Sequence, residues 1–357
     1  MNHDFTYNLI LFVVEAAGLA AALRRRGALP SLLVGQLVLA AVLARLLGAG
    51  VFGSMRLLAY LVFVHAPLLM AAVAVALRRC ARGFSALTAL AALLIVVIGV
   101  DAFFIEPYDL QISHVRLTSP KLTRPVRAVL LADVQMKEVG AYERAAFKTA
   151  LAQAPDLILM AGDYVQWSPE ASRDAVRSEL AQYLASIHFS APLGVYAVEG
   201  NVDPRGWTQL FTSIGAVPFG ESGSLETGEL AITGLTLHDS FETKLHVPPS
   251  QHFHIVLGHG PDYALGNIEA DLLVAGHTHG GQVRLPFLGP LITFSAVPNA
   301  WAAGQTDLGQ GRTLVVSRGI GMERGYAPPL RFMCRPEIVV IDIEPSRGPG
   351  SKITWRR

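Results

Sequence analysis

The sequence predicts an α/β domain carried behind a helical membrane segment. Three observations support this. Four apolar stretches fill the first 105 positions, each near the ~20 residues that a helix needs to cross a bilayer. After them charged residues become frequent, and short apolar runs alternate with one clear helical pattern. Five of those short runs end in a carboxylate, an amide or an imidazole.

Composition fixes the first element. Of 357 residues, 52% are hydrophobic and only 16% charged, and the mean hydropathy is +0.40. The apolar stretches run Phe5–Leu23, Ala28–Leu47, Leu57–Leu77 and Phe84–Ile105. Four nearly consecutive stretches of this length argue for a four-helix transmembrane anchor rather than a large soluble core. Glu15 and His65 interrupt them and are expected to be packing groups. Arg24, Arg25 and Arg26 follow the first stretch, and Arg78, Arg79 and Arg82 separate the third from the fourth. Basic short loops stay cytoplasmic, which puts everything after Ile105 outside the cell; Arg56 is the one dissenting charge. The expected protein is thus a multi-pass cell-membrane protein with an extracytoplasmic domain. On that topology Cys80 and Cys334 lie on opposite sides and cannot pair. A net charge of +1 offers nothing to nucleic acid.

The second element is the domain itself. "VRAVLLAD" ends at Asp133, "PDLILMAGD" at Asp163, "GVYAVEGN" at Asn201, "HIVLGH" at His259, and "ADLLVAGHTH" at His277 and His279. Such runs read as buried strands. "MKEVGAYERAAFKTALAQA" between the first two has helical spacing. Open α/β sheets gather ligands at the carboxyl ends of their strands, where all five sets fall. His277 and His279 are two apart, so an extended segment points both the same way. Positions 1–106 are expected as the transmembrane region, 107–121 as a linker, 122–345 as the domain and 346–357 as a tail.

"GHTHGGQVRLP" (Gly276–Pro286), with "AGD", "EGN", "GHGPD" and "SRGIG" in this order, resembles the calcineurin-like metallophosphoesterases of the membrane-anchored bacterial branch. The resemblance implies a four-layer α-β-β-α sandwich and two divalent ions, Mn, Fe or Zn. It assigns the first ion to Asp133, Gln135, Asp163 and His279. The second takes Asp163, Asn201, His259 and His277, with Asp163 shared. Two such ions activate water for in-line attack on a phosphoryl group.

The chain departs from this pattern twice. Asp133-Val134-Gln135 has an amide where the family has an imidazole, which weakens the first ion site. Gly200-Asn201-Val202-Asp203 has a valine where the family has a proton-donating histidine. The catalytic positions of this loop are then Asn201, Asp203 and Arg205, with Arg205 the candidate to stabilise charge. His238, His252 and His254 read as loop or strand residues, and Arg284 and Arg318 as phosphate ligands or structural ion pairs. The expected activity is metal-dependent hydrolysis of a phosphodiester or pyrophosphate, with lipid-linked substrates among the candidates. The competing expectation is a binding module at the membrane that keeps the fold without the chemistry.

Overall fold

The computed structural model describes residues 3–24, 29–48, 50–166, 172–325 and 327–346. It divides into two units, Met1–Ile105 with Glu323–Pro329, and Glu106–Met322 with Leu330–Arg357.

The first unit is helical: α1 (His3–Arg24), α2 (Leu29–Leu47), α3 (Gly50–Tyr60), α4 (Ala66–Leu77) and α5 (Arg82–Val100). A π-turn, Leu61–His65, joins α3 to α4 without a break. Among the described residues, three spans, His3–Ala21, Gly50–Leu77 and Arg82–Tyr108, are long and apolar enough to cross a membrane. Arg25 and Arg26, on which half of the topology argument rests, lie outside the described residues. Arg56 is inside α3 rather than in a loop, and its guanidinium meets Asp4 at 3.0 Å. Several buried polar groups pair with one another, which offsets the cost of burial among apolar helices. His65 Nδ1 lies 3.1 Å from Glu15 Oε1, His65 Nε2 lies 2.9 Å from Asn8 Oδ1, and Gln36 donates to Glu15 at 2.9 Å.

The second unit holds two six-stranded sheets. The chain lays down β1 (Gln111–Ser119), β2 (Val126–Leu131), α6 (Ala141–Ala152), β3 (Leu157–Met160), α7 (Arg173–Ser186), β4 (Val195–Ala197) and β5 (Val217–Pro218). Next come β6 (Gly223–Thr227), β7 (Leu230–Gly234), α8 (Leu237–Ser240), β8 (His246–Val247), β9 (Phe253–Leu257), β10 (Asn267–Ile268) and β11 (Leu272–Ala275). Last are β12 (Arg284–Leu285), β13 (Gly289–Pro290), β14 (Gly304–Gly309), β15 (Arg312–Val316) and β16 (Glu337–Pro345). One sheet has the order β1-β16-β2-β3-β4-β5 and the other β14-β15-β11-β9-β7-β6. Within them β2 to β5 run parallel, as do β7, β9, β11 and β15.

One apolar core draws on strands of both sheets: Leu130, Leu159 and Val198 from the first, Ile232, Leu257 and Val274 from the second. Burial on both faces is why these strands read as continuous Val, Leu and Ile runs rather than alternating ones. Helices α6 and α7 pack on the other face of the first sheet. They do so through Ala146, Phe147 and Ala150 and through Val176, Leu180, Tyr183 and Leu184, spaced as one helical stripe. A separate cluster on the second sheet is built from Leu235, Val247, Tyr263, Ala264 and Ile268, which come from loops and short turns. The sandwich therefore has long helices on the first sheet, where α6 and α7 are 12 and 14 residues, while α8 has only 4.

The segment expected as a linker is corrected. Gln111–Ser119 is β1, paired in parallel with β16 along its whole length. It alternates exposed and covered residues, as an edge strand does.

Candidate metal centre

All the expected ligands leave the carboxyl ends of parallel strands, and most do so on strained backbone. Asp133, Gln135, Asp163, His277 and His279 hold φ of 50°, 42°, 58°, 68° and 49°. Left-handed backbone is uncommon for any residue with a Cβ and clusters at functional sites. What holds it here is backbone pairing between loops: Asp133 N to Gly162 O (3.0 Å), Gln135 N to Asp163 O (2.8 Å) and Gly276 N to His259 O (2.9 Å). The β3 and β4 loops also approach so closely that only glycine fits. A Cβ on Gly200 would lie 2.1 Å from Asp163 N.

Hydrogen bonding then fixes which imidazole nitrogens carry lone pairs. His259 Nδ1 sits 2.8 Å from the carbonyl oxygen of Ala161, so its proton is there. The lone pair on Nε2 faces Asn201 Oδ1 at 2.8 Å and Asp163 Oδ1 at 3.6 Å. His277 Nε2 faces the Phe294 carbonyl at 3.2 Å, which leaves its Nδ1 lone pair 2.9 Å from the same Asn201 oxygen. Two lone pairs, an amide oxygen and a carboxylate thus converge with no proton among them. That is a donor set for a cation. Asp133, Asp163 and His259 offer ligand atoms all within 4.8 Å of one another. Burial and then the charge of Asp163 push Asp133 well above the usual carboxylate range. Burial, followed by His259, pushes His277 down to about 4. Both shifts follow from burial first and from like-charged neighbours packed close by second.

The set around Asp133 is less regular. Its carboxylate accepts the His277 amide at 3.0 Å, and His279 Nε2 lies 4.0 Å from it. Gln135 is wholly buried, with its amide nitrogen donating to Asp163 Oδ2 at 3.1 Å. Burial and then the neighbouring Arg331 hold His279 well below the usual histidine range.

Asp203 is held by the backbone of both loops. Its carboxylate accepts the backbone amides of Asp163, Gly200 and Tyr164, each at 2.8 Å, which clamps the β3 and β4 loops together. Asp203→Ala strands those amides, and we expect it to cost about 2–3 kcal/mol, read as a lowered thermal midpoint. Arg205 is exposed, its carbonyl held by Arg177 at 2.9 Å, and stands outside the converging group. The valine at 202 is half-buried, with its amide donating to Asp163 Oδ1 at 2.9 Å.

Three neighbours carried no sequence signal. Tyr164 buries its hydroxyl between the Met160 and Val198 carbonyls (3.0 and 2.7 Å), stapling β3 to β4. Phe241 sets its ring edge-on to His277, 4.7 Å between centroids. Arg331 is wholly buried and donates to the carbonyls of Arg318 (2.8 Å) and Gly321 behind His279. A fully buried arginine is rare enough that "PPLRF" gives no hint of it. Of the remaining candidates, Arg318 pairs with Glu337 at 2.7 Å, Arg284 donates to Gly280 O at 3.0 Å, and His254 is buried against Thr233.

Two packed sheets with carboxylate, amide and imidazole groups at their strand ends offer a donor set suited to divalent ions. Residues 126–281 match the family of calcineurin-like phosphoesterases. The chain is 28% identical over 263 residues to the uncharacterized metallophosphoesterase YkuE of Bacillus subtilis, covering 68% of this chain and 88% of YkuE. It is also 28% identical over 235 residues to the phosphodiesterase YaeI of Escherichia coli, covering 61% and 82%. Among solved structures, the E. coli phosphoesterase YfcE aligns with 57% of this chain and 85% of its own at 15% identity, with a TM-score of 0.30.

Proposed function

We propose that this chain is a membrane-anchored phosphodiesterase or pyrophosphatase, acting on lipid-linked phosphate outside the cytoplasm. The observation that carries the metal-dependent chemistry is the convergence of His259, His277, Asn201 and Asp163 with their lone pairs facing one another. These four residues would hold one ion, and Asp133, Gln135, Asp163 and His279 a second, weaker one. Divalent ions bound there supply Lewis-acid polarisation of a phosphoryl oxygen and a more acidic water.

The chain's own residues do the rest. The Ala161 and Phe294 carbonyls fix the tautomers of His259 and His277, and Asp203 holds the loop that presents Asn201. At position 202 a valine can neither donate a proton nor bind a phosphate oxygen. Substrates whose leaving group departs without an acid are therefore favoured, which points to diphosphates and to diesters of acidic alcohols over alkyl esters. The membrane reading rests on length and hydropathy of the helices, on exposed Leu87, Leu90, Leu93 and Leu94 along α5, and on Arg78, Arg79 and Arg82 before it.

The test uses the full chain in detergent micelles, stripped with a chelator and reloaded with Mn²⁺. Hydrolysis of bis(p-nitrophenyl) phosphate should appear only after loading. The thermal midpoint should rise with Mn²⁺, by the equivalent of about 2.7 kcal/mol at one hundred times the dissociation constant. A thermal shift without turnover would select the binding module. Neither response would remove the metal centre altogether.

A further inference from the structure

The strand pair that follows the metal-binding histidines carries an exposed apolar tip. Phe287 and Leu288 are 108% and 72% exposed, and Leu291, Ile292 and Phe294 follow at 55%, 39% and 49%. Elsewhere among the described residues of this unit, exposed large apolar side chains such as Val217 and Leu265 occur singly. Scattered singles are ordinary on a soluble surface, whereas a contiguous group marks an interaction site.

The tip is imposed rather than relaxed. Phe287 and Phe294 hold φ of 67° and 51°, which bulky residues avoid. It is also built into the site, since the Phe294 carbonyl orients His277 at 3.2 Å.

The chemistry around the tip selects its partner. From Leu285 to Thr306 there is no Asp, Glu, Lys or Arg. A protein partner would ordinarily meet a charged or polar rim, while the hydrocarbon of a bilayer offers no charge to match. At the base stands half-buried Arg284, a cation of the kind suited to the anionic headgroup level.

We propose that the segment Arg284–Phe294 dips into the headgroup–acyl boundary, about 5–10 Å deep, and so brings the metal centre to lipid-linked phosphates at the membrane surface. This rests on the anchored-hydrolase reading and adds the element that finds the substrate.

The test places an environment-sensitive fluorophore (NBD) at Leu288→Cys in the full chain with Cys80→Ser, since Cys334 is buried and resists labelling. The protein is reconstituted in phosphatidylethanolamine–phosphatidylglycerol vesicles, with Leu265→Cys as the exposed control. Blue-shifted emission at position 288, quenched by brominated acyl chains and absent at 265, is the expected result. Water-like emission at 288 would overturn the proposal. A blue shift without bromine quenching would overturn it too, because a protein surface would then cover the tip. The same labelled protein is assayed on bis(p-nitrophenyl) phosphate. Quenching without Mn²⁺-dependent turnover would sink the hydrolase reading and leave the insertion standing.

Discussion

Asp163→Asn lowers Mn²⁺-dependent turnover by at least about 10²–10³-fold, the range seen when one key electrostatic group leaves an active site. The loss is chemical rather than conformational. Asparagine tolerates left-handed backbone at least as well as aspartate, so φ of 58° is kept. The backbone bonds from Gln135 N to Asp163 O and from Asp163 N to Asp203 are also untouched. What goes is a negative charge that His259 faces at 3.6 Å and that two ions would share. An amide nitrogen placed there also confronts either Gln135 Nε2, itself a donor, or the Val202 amide that now donates to Oδ1. Steady-state rates and thermal midpoints of the same preparations check both halves. A variant as active as the parent would remove Asp163 from the ligand set, and one that melts early would make the loss structural.

Val202→His raises turnover, by about 10²-fold or more on esters with poor leaving groups, because it restores a proton donor to a prepared loop. The loop needs no rebuilding. The backbone amide of residue 202 is already held by Asp163 and its side chain is half-buried. The gain should grow from p-nitrophenyl to phenyl diesters, since p-nitrophenolate leaves readily without an acid. A new limb near pH 6.5, the ordinary histidine value, should enter the rate profile. An equal change for both esters would mean that the imidazole acts on binding rather than on the leaving group.

Sequence reached the five strand ends because buried parallel strands write themselves as short apolar runs, and the side chains that follow them are chemically distinctive. It did not reach β1. "QISHVRLTS" mixes apolar and polar residues without a clean alternation and pairs with β16, more than two hundred residues later in the chain, so no local pattern announces it. The bonds of Asp203 were hidden for another reason: the amides of Asp163, Gly200 and Tyr164 that its oxygens accept are gathered only by the folded chain. Arg331 likewise depends on carbonyls that only the folded chain gathers. The left-handed backbone under Asp133, Gln135 and Asp163 left no compositional trace, since none of the three is glycine.

That backbone is held by main-chain bonds: Asp133 N to Gly162 O, Gln135 N to Asp163 O, and Met136 N to Tyr164 O. None of them passes through a side chain. The frame is therefore indifferent to which group hangs from positions 135 and 202, and evolution can trade imidazole for amide or isopropyl there without redrawing the loops. Metal preference and leaving-group range become adjustable independently of foldability, one residue at a time.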